Sequence, residues 1–253
     1  MRVKLYLRAL LRFILIIAHR TVLKGRLDKT LAMIGLKPGP ALVLGSAPNS
    51  SRPHGFDGDW SVVTANASQM RAEDWGIKTP ALTVFRAGLM LPGAHQDEVW
   101  AVLRGRRTTS LVVLKDKTPE NAYLKSLGER DYGAASVHLI SKSQKNAIVL
   151  ELTGRLRVSC FGKGASQGVF AALLALKCGA PCAVVSGLSF SATDHFYGAW
   201  SKRGHIADDR DVLRAAVRRG LPLFAAEPTF AAESGLPLWT GTAQQLKHAV
   251  DPG

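Results

Sequence analysis

Three stretches of this chain carry residues able to hold a phosphorylated ligand. The first is Gly45-Ser46-Ala47-Pro48-Asn49-Ser50-Ser51, where glycine lets a ligand approach the backbone and N–H groups and hydroxyls can hold phosphate or ribose. It is neither the G-x-G-x-x-G dinucleotide fingerprint nor a P-loop, and by itself it reads equally as a bare turn. The second runs from Ser159 to Tyr197, with Ser166, Gln167 and Gly168 at the start of an apolar helix over 169–177. Free N–H groups and the helix dipole at that point favour an anion, although Ser166 also reads as a plain N-cap. The third is the polar loop 188–207, which holds His195, Tyr197, Trp200, Lys202, Arg203 and His205. A connection of that length in a compact domain is more often a lid or binding loop than idle chain, and either histidine could instead be a satisfied structural residue. A basic cluster, Lys142, Lys145, Arg155, Arg157 and Lys163, precedes the helix and reads as a phosphate-neutralising group or as a solvated face.

The elements that must position these residues are short apolar runs alternating with helical patterns. Strands are expected over 41–44, 61–65, 81–85, 111–114, 136–140, 183–186 and 221–225. Helices are expected over 27–34, 96–104, 118–130, 169–177 and 211–219. That alternation indicates an α/β fold: a single Rossmann-like, doubly wound, mostly parallel sheet. Ligands of such sheets bind outside the carboxyl ends of the strands. Asn66 after the second strand, Arg86 after the third and Gly187 after the sixth therefore fall at the expected crevice.

The 253 residues suffice for one large domain or at most two small ones, and 47% apolar against 21% charged residues describes a globular chain. Lys and Arg number 33 against 19 Asp and Glu, a net charge of +14. Arg2, Lys4, Arg8, Arg12, Arg20, Lys24, Arg26 and Lys29 face Asp28 alone, so half of that charge lies in residues 1–30. This argues for an attached basic segment and against a nucleic-acid-binding face spread over the fold. Cys160, Cys178 and Cys182 are odd in number and lack C-x-x-C spacing, which fits small core residues in a reducing compartment.

Residues 1–27 interleave charge with Leu5, Leu7, Leu10, Leu11, Ile14, Leu15 and Ile17 at a near-helical period. The longest uncharged apolar run, 13–18, is far below the roughly 20 residues that cross a bilayer. Arg12 interrupts the apolar region, unlike a secretory signal. The expectation is a basic amphipathic segment, residues 1–37, lying on an anionic membrane surface through residues 1–30, followed by a nucleotide-sugar-binding domain, 38–253. The helix could instead pack on its own domain or on a second copy of the chain, making a homo-oligomer.

One order of signals runs over residues 41–228. A strand leads into Gly45-Ser46-Ala47-Pro48-Asn49, Asn66 follows the second strand, and Ser166-Gln167-Gly168-Val169 opens a helix. Gly187-Leu188-Ser189-Phe190 ends a strand, Tyr197 stands ten residues past that glycine, and Gly204-His205 precedes Asp208 and a helix. This succession resembles the bacterial sialyltransferases of glycosyltransferase family 42, with their G-x-G-P-S-like loop, S-G-V motif and G-x-x-F strand end. The resemblance implies a CMP-sialic acid donor, no essential metal, a lid that orders over the donor, and membrane association through a basic segment.

By the same resemblance His205 is the general base toward the acceptor hydroxyl, a task suited to imidazole with its unperturbed pKa of about 6.5. Tyr197 donates to the departing CMP phosphate. The Gly45 loop, Asn66, Ser166, Gln167, Gly168, Gly187, Ser189 and Ser191 surround the donor. The chain departs from the family at Ser46, where the family has Asn, and at Ser191, where it has one of two phosphate-binding tyrosines. Its basic segment is N-terminal, where the family's is usually C-terminal, and His195 is a competing base. No cluster of Cys and His ligands supports a metal-dependent transferase.

The expected protein is thus an inverting, metal-independent glycosyltransferase on the cytoplasmic face of the inner membrane, moving an acidic sugar from a CMP donor to a surface glycan, as in lipopolysaccharide or capsule biosynthesis. Its rivals are a pyrophosphokinase-like or other nucleotide-binding protein and a non-catalytic membrane-surface binding module.

Overall fold

A computed structural model describes residues 10–11, 13–14, 17–18, 24–90, 94–116, 118–155, 164–192, 194–195, 198–199, 204–242 and 245. The strands of the main sheet are β1 (Ala41–Leu44), β2 (Ser61–Ala65), β3 (Leu82–Arg86), β4 (Arg107–Lys115), β5 (Gly133–Ser141), β6 (Ala183–Ser186) and, after a two-strand hairpin, β9 (Leu223–Ala225). Every pairing in it is parallel, in the order β5-β4-β3-β2-β1-β6-β9. A parallel sheet is covered on both faces, so its central strands read as unbroken apolar runs, and β1, β2 and β6 are buried at every position.

Successive side chains point to opposite faces. Val43, Val63, Val84 and Val185 join the core under the helix Gln167–Lys177, whereas Leu42, Leu44 and Val184 join Trp60, Phe224 and Trp239 on the other side. From β1 the chain winds outward one way to β5 and the other way through β6 to β9. Winding reverses between β1 and β6, and at such a switch point neighbouring loops part to leave a crevice.

The helices are α1 (Lys24–Ala32), α2 (Gln69–Asp74), α3 (Ala94–Leu103), α4 (Glu120–Glu129), α5 (Lys142–Thr153), α6 (Gln167–Lys177), α7 (Ile206–Arg218) and α8 (Pro228–Ser234). Leu27 and Leu31 of α1, with Ile34 after it, are buried in the main core, so residues 24–34 fold with the domain. Of the cysteines, Cys160 lies outside the described residues. Cys178 and Cys182 are free thiols whose pKa burial pushes up to about 12, in keeping with inert core residues.

Two sequence expectations need correction. The segment after β5 is no solvated basic face. Residues 142–153 form α5, opened by a capping box in which Ser141 Oγ accepts from Gln144 N at 3.2 Å while Gln144 Oε1 accepts from Ser141 N at 2.8 Å. Lys145 and Asn146 lie on its buried side, which hides the apolar periodicity. Arg155 pairs with Asp211, while Arg157 and Lys163 lie outside the described residues. The helix expected over 211–219 begins at Ile206, because Asp208 and Asp209 occupy its first turn instead of capping it from outside.

The loop 188–207 contains a small antiparallel hairpin, β7 (Asp194–His195) with β8 (Gly198–Ala199). Residues 10, 11, 13, 14, 17 and 18 are helical, and Leu10, Leu11, Phe13, Ile14 and Ile17 are exposed. No helix among the described residues is long and apolar enough to cross a membrane.

Candidate active site

A cleft of about 260 Å³ opens at the carboxyl edge of the sheet over the switch point. Its floor is backbone. Beyond the strands the chain stays paired, Gly45 N donating to Ser186 O at 2.8 Å and Ala47 N to Gly187 O at 2.7 Å. A Cβ at Gly45 would stand 2.3 Å from Gly187 O, so the glycine is required by the neighbouring chain before any ligand arrives. Gly187 itself takes φ 68°, open to glycine with little strain.

Glu227, which the sequence reading did not single out, ties this floor together. Its Oε1 accepts from Ser51 N at 2.8 Å, Ser51 Oγ at 3.0 Å and Gly187 N at 3.4 Å, and lies 2.6 Å from Ser186 Oγ. Burial is the largest influence on this carboxyl and raises its pKa, against the donors that favour the ionised form.

Asn66 stands on the β2 side. It is in the left-handed region at φ 52°, where a non-glycine residue is uncommon and strain often accompanies function. The turn is set by Ser68, whose Oγ accepts from Ala65 N at 2.8 Å and donates to Leu44 O at 2.7 Å, joining the ends of β1 and β2. Asn66 Oδ1 accepts from Arg86 N at 3.4 Å, so the donor its side chain retains for a ligand is the NH2 group. Arg86, half-buried on the cleft wall, makes no ion pair among the described residues.

The opposite wall is the N-terminus of α6. Ser166 is its N-cap, accepting from Val169 N at 3.3 Å through Oγ, while its own N–H goes to Asp209 Oδ1 at 2.7 Å. Among the described residues nothing accepts from the Gln167 and Gly168 N–H groups of the first turn, which suit an anion.

His205 caps the start of α7 and donates from Nδ1 to Gly164 O at 2.9 Å. A carbonyl can only accept, so this bond fixes the proton on Nδ1 and leaves the Nε2 lone pair to take a proton from a ligand. Asp208 Oδ2 accepts from Gly164 N at 3.1 Å.

Between Gly164 and Ser166, Ala165 O accepts from Lys145 Nζ. Lys145 is buried against the backbone and does not line the cleft, which corrects its reading as a phosphate-neutralising side chain. Burial moves Asp209 up to about 6 and Lys145 down to about 8, with their mutual attraction opposing both shifts. Asp209 is raised, so its contribution to stability is full below its ordinary 3.8 and is lost as pH rises through 6. Lys145 is lowered, so its contribution is full above its ordinary 10.5 and is lost as pH falls through 8. Near neutrality, between those two values, both groups carry their charge, each less readily than in water because of burial.

Of the residues expected from sequence, Gly45, Ser46, Ala47, Asn66, Arg86, Ser166, Gln167, Gly168, Gly187, Ser189 and His205 line the cleft together, with Asp209 among them. Asn49 is exposed past the turn and does not line it. Nor does Ser191, whose hydroxyl is held by Glu233. His195 lies in β7, its backbone paired with Gly198, and Tyr197 and Lys163 fall outside the described residues. Among the described residues no group of three or more His, Cys, Asp or Glu side chains could hold a metal ion.

No family model matches the sequence, and no curated protein matches it. Solved structures do match the fold. The sialyltransferase CstII from Campylobacter jejuni, in complex with the substrate analogue cytidine-5'-monophosphate, aligns with a TM-score of 0.52 at 13% identity, over 81% of this chain and 86% of that one. The monofunctional alpha-2,3-sialyltransferase Cst-I from the same organism aligns with a TM-score of 0.52 at 13% identity, over 79% of this chain and 80% of that one. CstII with the analogue CMP-3FNeuAc gives 0.50 at 12% identity, over 79% and 85%. At such identities the likeness is one of fold: a parallel α/β sheet of the bacterial sialyltransferase kind.

Proposed function

We infer that this chain is a glycosyltransferase that moves sialic acid or a related acidic sugar from a CMP-activated donor to a glycan acceptor, with inversion and without a metal. The observation that carries the reading is convergence. Asn66, the Gln167 and Gly168 N–H groups at the start of α6, the Gly45 floor and the His205 imidazole all meet in one cleft at the switch point. The matched fold is one whose solved members include CMP-bound sialyltransferases.

In this reading the nucleotide lies along the Gly45–Ala47 floor and its phosphate faces the Gln167 and Gly168 N–H groups. Asn66 donates to the donor, and Arg86 offers its guanidinium to an anionic group of the sugar. His205 Nε2 takes the proton of the acceptor hydroxyl as that oxygen bonds the anomeric carbon. The bond from that carbon to the phosphate oxygen breaks on the opposite side, and CMP leaves with the electron pair. Because the charge that develops on the phosphate meets the positive end of α6, the step calls for no metal. Tyr197 is proposed as a further donor to the departing phosphate.

Isothermal titration with CMP, CMP-sialic acid, ATP and GTP tests the assignment. Cytidine nucleotides are expected to bind and purine nucleotides to bind at least tenfold more weakly. A purine preference, or no binding at all, sinks it.

The exposed Leu10, Leu11, Ile14 and Ile17, set among Arg8, Arg12 and Arg20, support a peripheral place on the cytoplasmic face of an anionic membrane, with each basic residue near the surface contributing about 1 kcal/mol. Removing residues 1–23 spares α1, so the truncated chain is expected to fold and to stop sedimenting with anionic liposomes. Undiminished sedimentation would refute the membrane reading.

A further inference from the structure

Lys145 and Asp209 take no part in the chemistry above, yet both are buried directly beside it. They grip the three-residue strap Gly164-Ala165-Ser166 from two different helices. Lys145 of α5 bonds Ala165 O, its ammonium 5.4 Å over the Phe170 ring, and Asp209 of α7 accepts from Ser166 N at 2.7 Å. Two further bonds run through the same strap: Gly164 N to Asp208 at 3.1 Å and His205 Nδ1 to Gly164 O at 2.9 Å. Gly164 turns into it at φ 83°. One end of the strap therefore holds the imidazole, and the other end is the N-cap of α6.

We propose that Lys145 and Asp209 are positioning residues that lock this strap, so that the anion-binding end of α6 and the His205 ring keep a single geometry with respect to each other. Core packing does not call for these two side chains, since a buried charged pair replaced by apolar residues of like volume often leaves a protein equally or more stable. What the charged pair supplies and an apolar pair cannot is a donor for Ala165 O and an acceptor for Ser166 N. The proposal deepens the reading of His205 as base and rests on it for its kinetic arm.

The test uses the full chain with Asp209→Asn, Asp209→Leu and the double variant Lys145→Met/Asp209→Leu, which removes both charges and strands neither. Transfer is measured as kcat and KM, and the protonation of the His205 ring is read from its 15N chemical shifts, assigned against His205→Gln. Asp209→Leu and the double variant are expected to lose roughly 100-fold in kcat, the scale of a misplacement of about 1 Å, and to leave the pure Nδ1–H pattern. Asp209→Asn keeps an oxygen that accepts from Ser166 N and is expected to lose only about fivefold.

Asp209→Asn as impaired as Asp209→Leu would overturn the proposal. So would a folded double variant with wild-type kcat and an unmoved His205 ring. The 15N reading needs no donor or acceptor. A chain that transfers no CMP-activated sugar would defeat the functional reading, while the strap would still be judged by the ring.

Discussion

His205→Ala is expected to cut sugar transfer by roughly 10² to 10⁴ while CMP still binds, the span usual for loss of a general base. The separation of the two effects follows from the layout of the cleft. The groups proposed for the nucleotide are main-chain atoms, those of the Gly45 floor fixed by Ser186, Gly187, Ser51 and Glu227 and those of the first turn of α6 by the Ser166 cap and Asp209. His205 contributes to none of those bonds. It does hold Gly164 O, so His205→Asn, which can still donate to that carbonyl but lacks a titratable ring, is the better control for the strap. Initial rates against pH, beside a CMP titration, check the prediction. Wild-type turnover in His205→Ala would remove the imidazole from the mechanism.

The second large effect is structural. Gly45→Ala would place a methyl group 2.3 Å from Gly187 O and 2.3 Å from Leu188 Cδ2. The leucine can turn aside, whereas the carbonyl is held in the β1–β6 pairing and cannot. Overpacking of this kind usually costs about 1–3 kcal/mol, and a contact against paired backbone belongs at or above the upper end. Thermal unfolding should therefore show a destabilisation of about 3 kcal/mol or more, and CMP binding should be lost with the floor. Gly128→Ala is the contrast. That glycine lies inside α4 with nothing within 4 Å of an added Cβ, so the same chemical change is expected to stabilise by roughly 0.5–1 kcal/mol. A Gly45→Ala protein as stable as the parent would mean that β1 and β6 are not held so closely.

The sheet was readable wherever burial on both faces wrote an unbroken apolar run, as in Ala41–Leu44 and Ala183–Ser186. The edges were harder. β4 and β5 extend well beyond their apolar centres because Thr108, Ser110 and Ser136 satisfy one another and backbone carbonyls inside the sheet, so polar residues there do not end the strand. α5 escaped because its buried side contains Lys145 and Asn146, and α8 because it is only seven residues long.

The cleft-lining loops were legible because turn residues at strand ends are a local signal. The supports behind them were not. Glu227 and Asp209 act across 176 and 43 residues of chain, on Ser51 and Ser166, and no local pattern announces so distant a partner. The nearest clue to either was an acidic residue at a helix start, Asp209 in the first turn of α7 and Glu227 immediately before Pro228.

A floor made of main chain has one more consequence. Peptide groups are the same whichever side chains they carry, so the cleft can be kept through wholesale exchange of the residues around it, provided that the few positions without room for a Cβ stay glycine. Ser46, Ala47 and Gln167 carry side chains at the cleft, whereas a Cβ at Gly45 would stand 2.3 Å from Gly187 O and one at Gly187, which turns at φ 68°, 3.0 Å from Gly45 O. A binding surface of that kind is recorded in the path of the backbone more than in the lettering of the sequence, and this is how a shared fold can remain recognisable in three dimensions when only 13% of aligned residues agree.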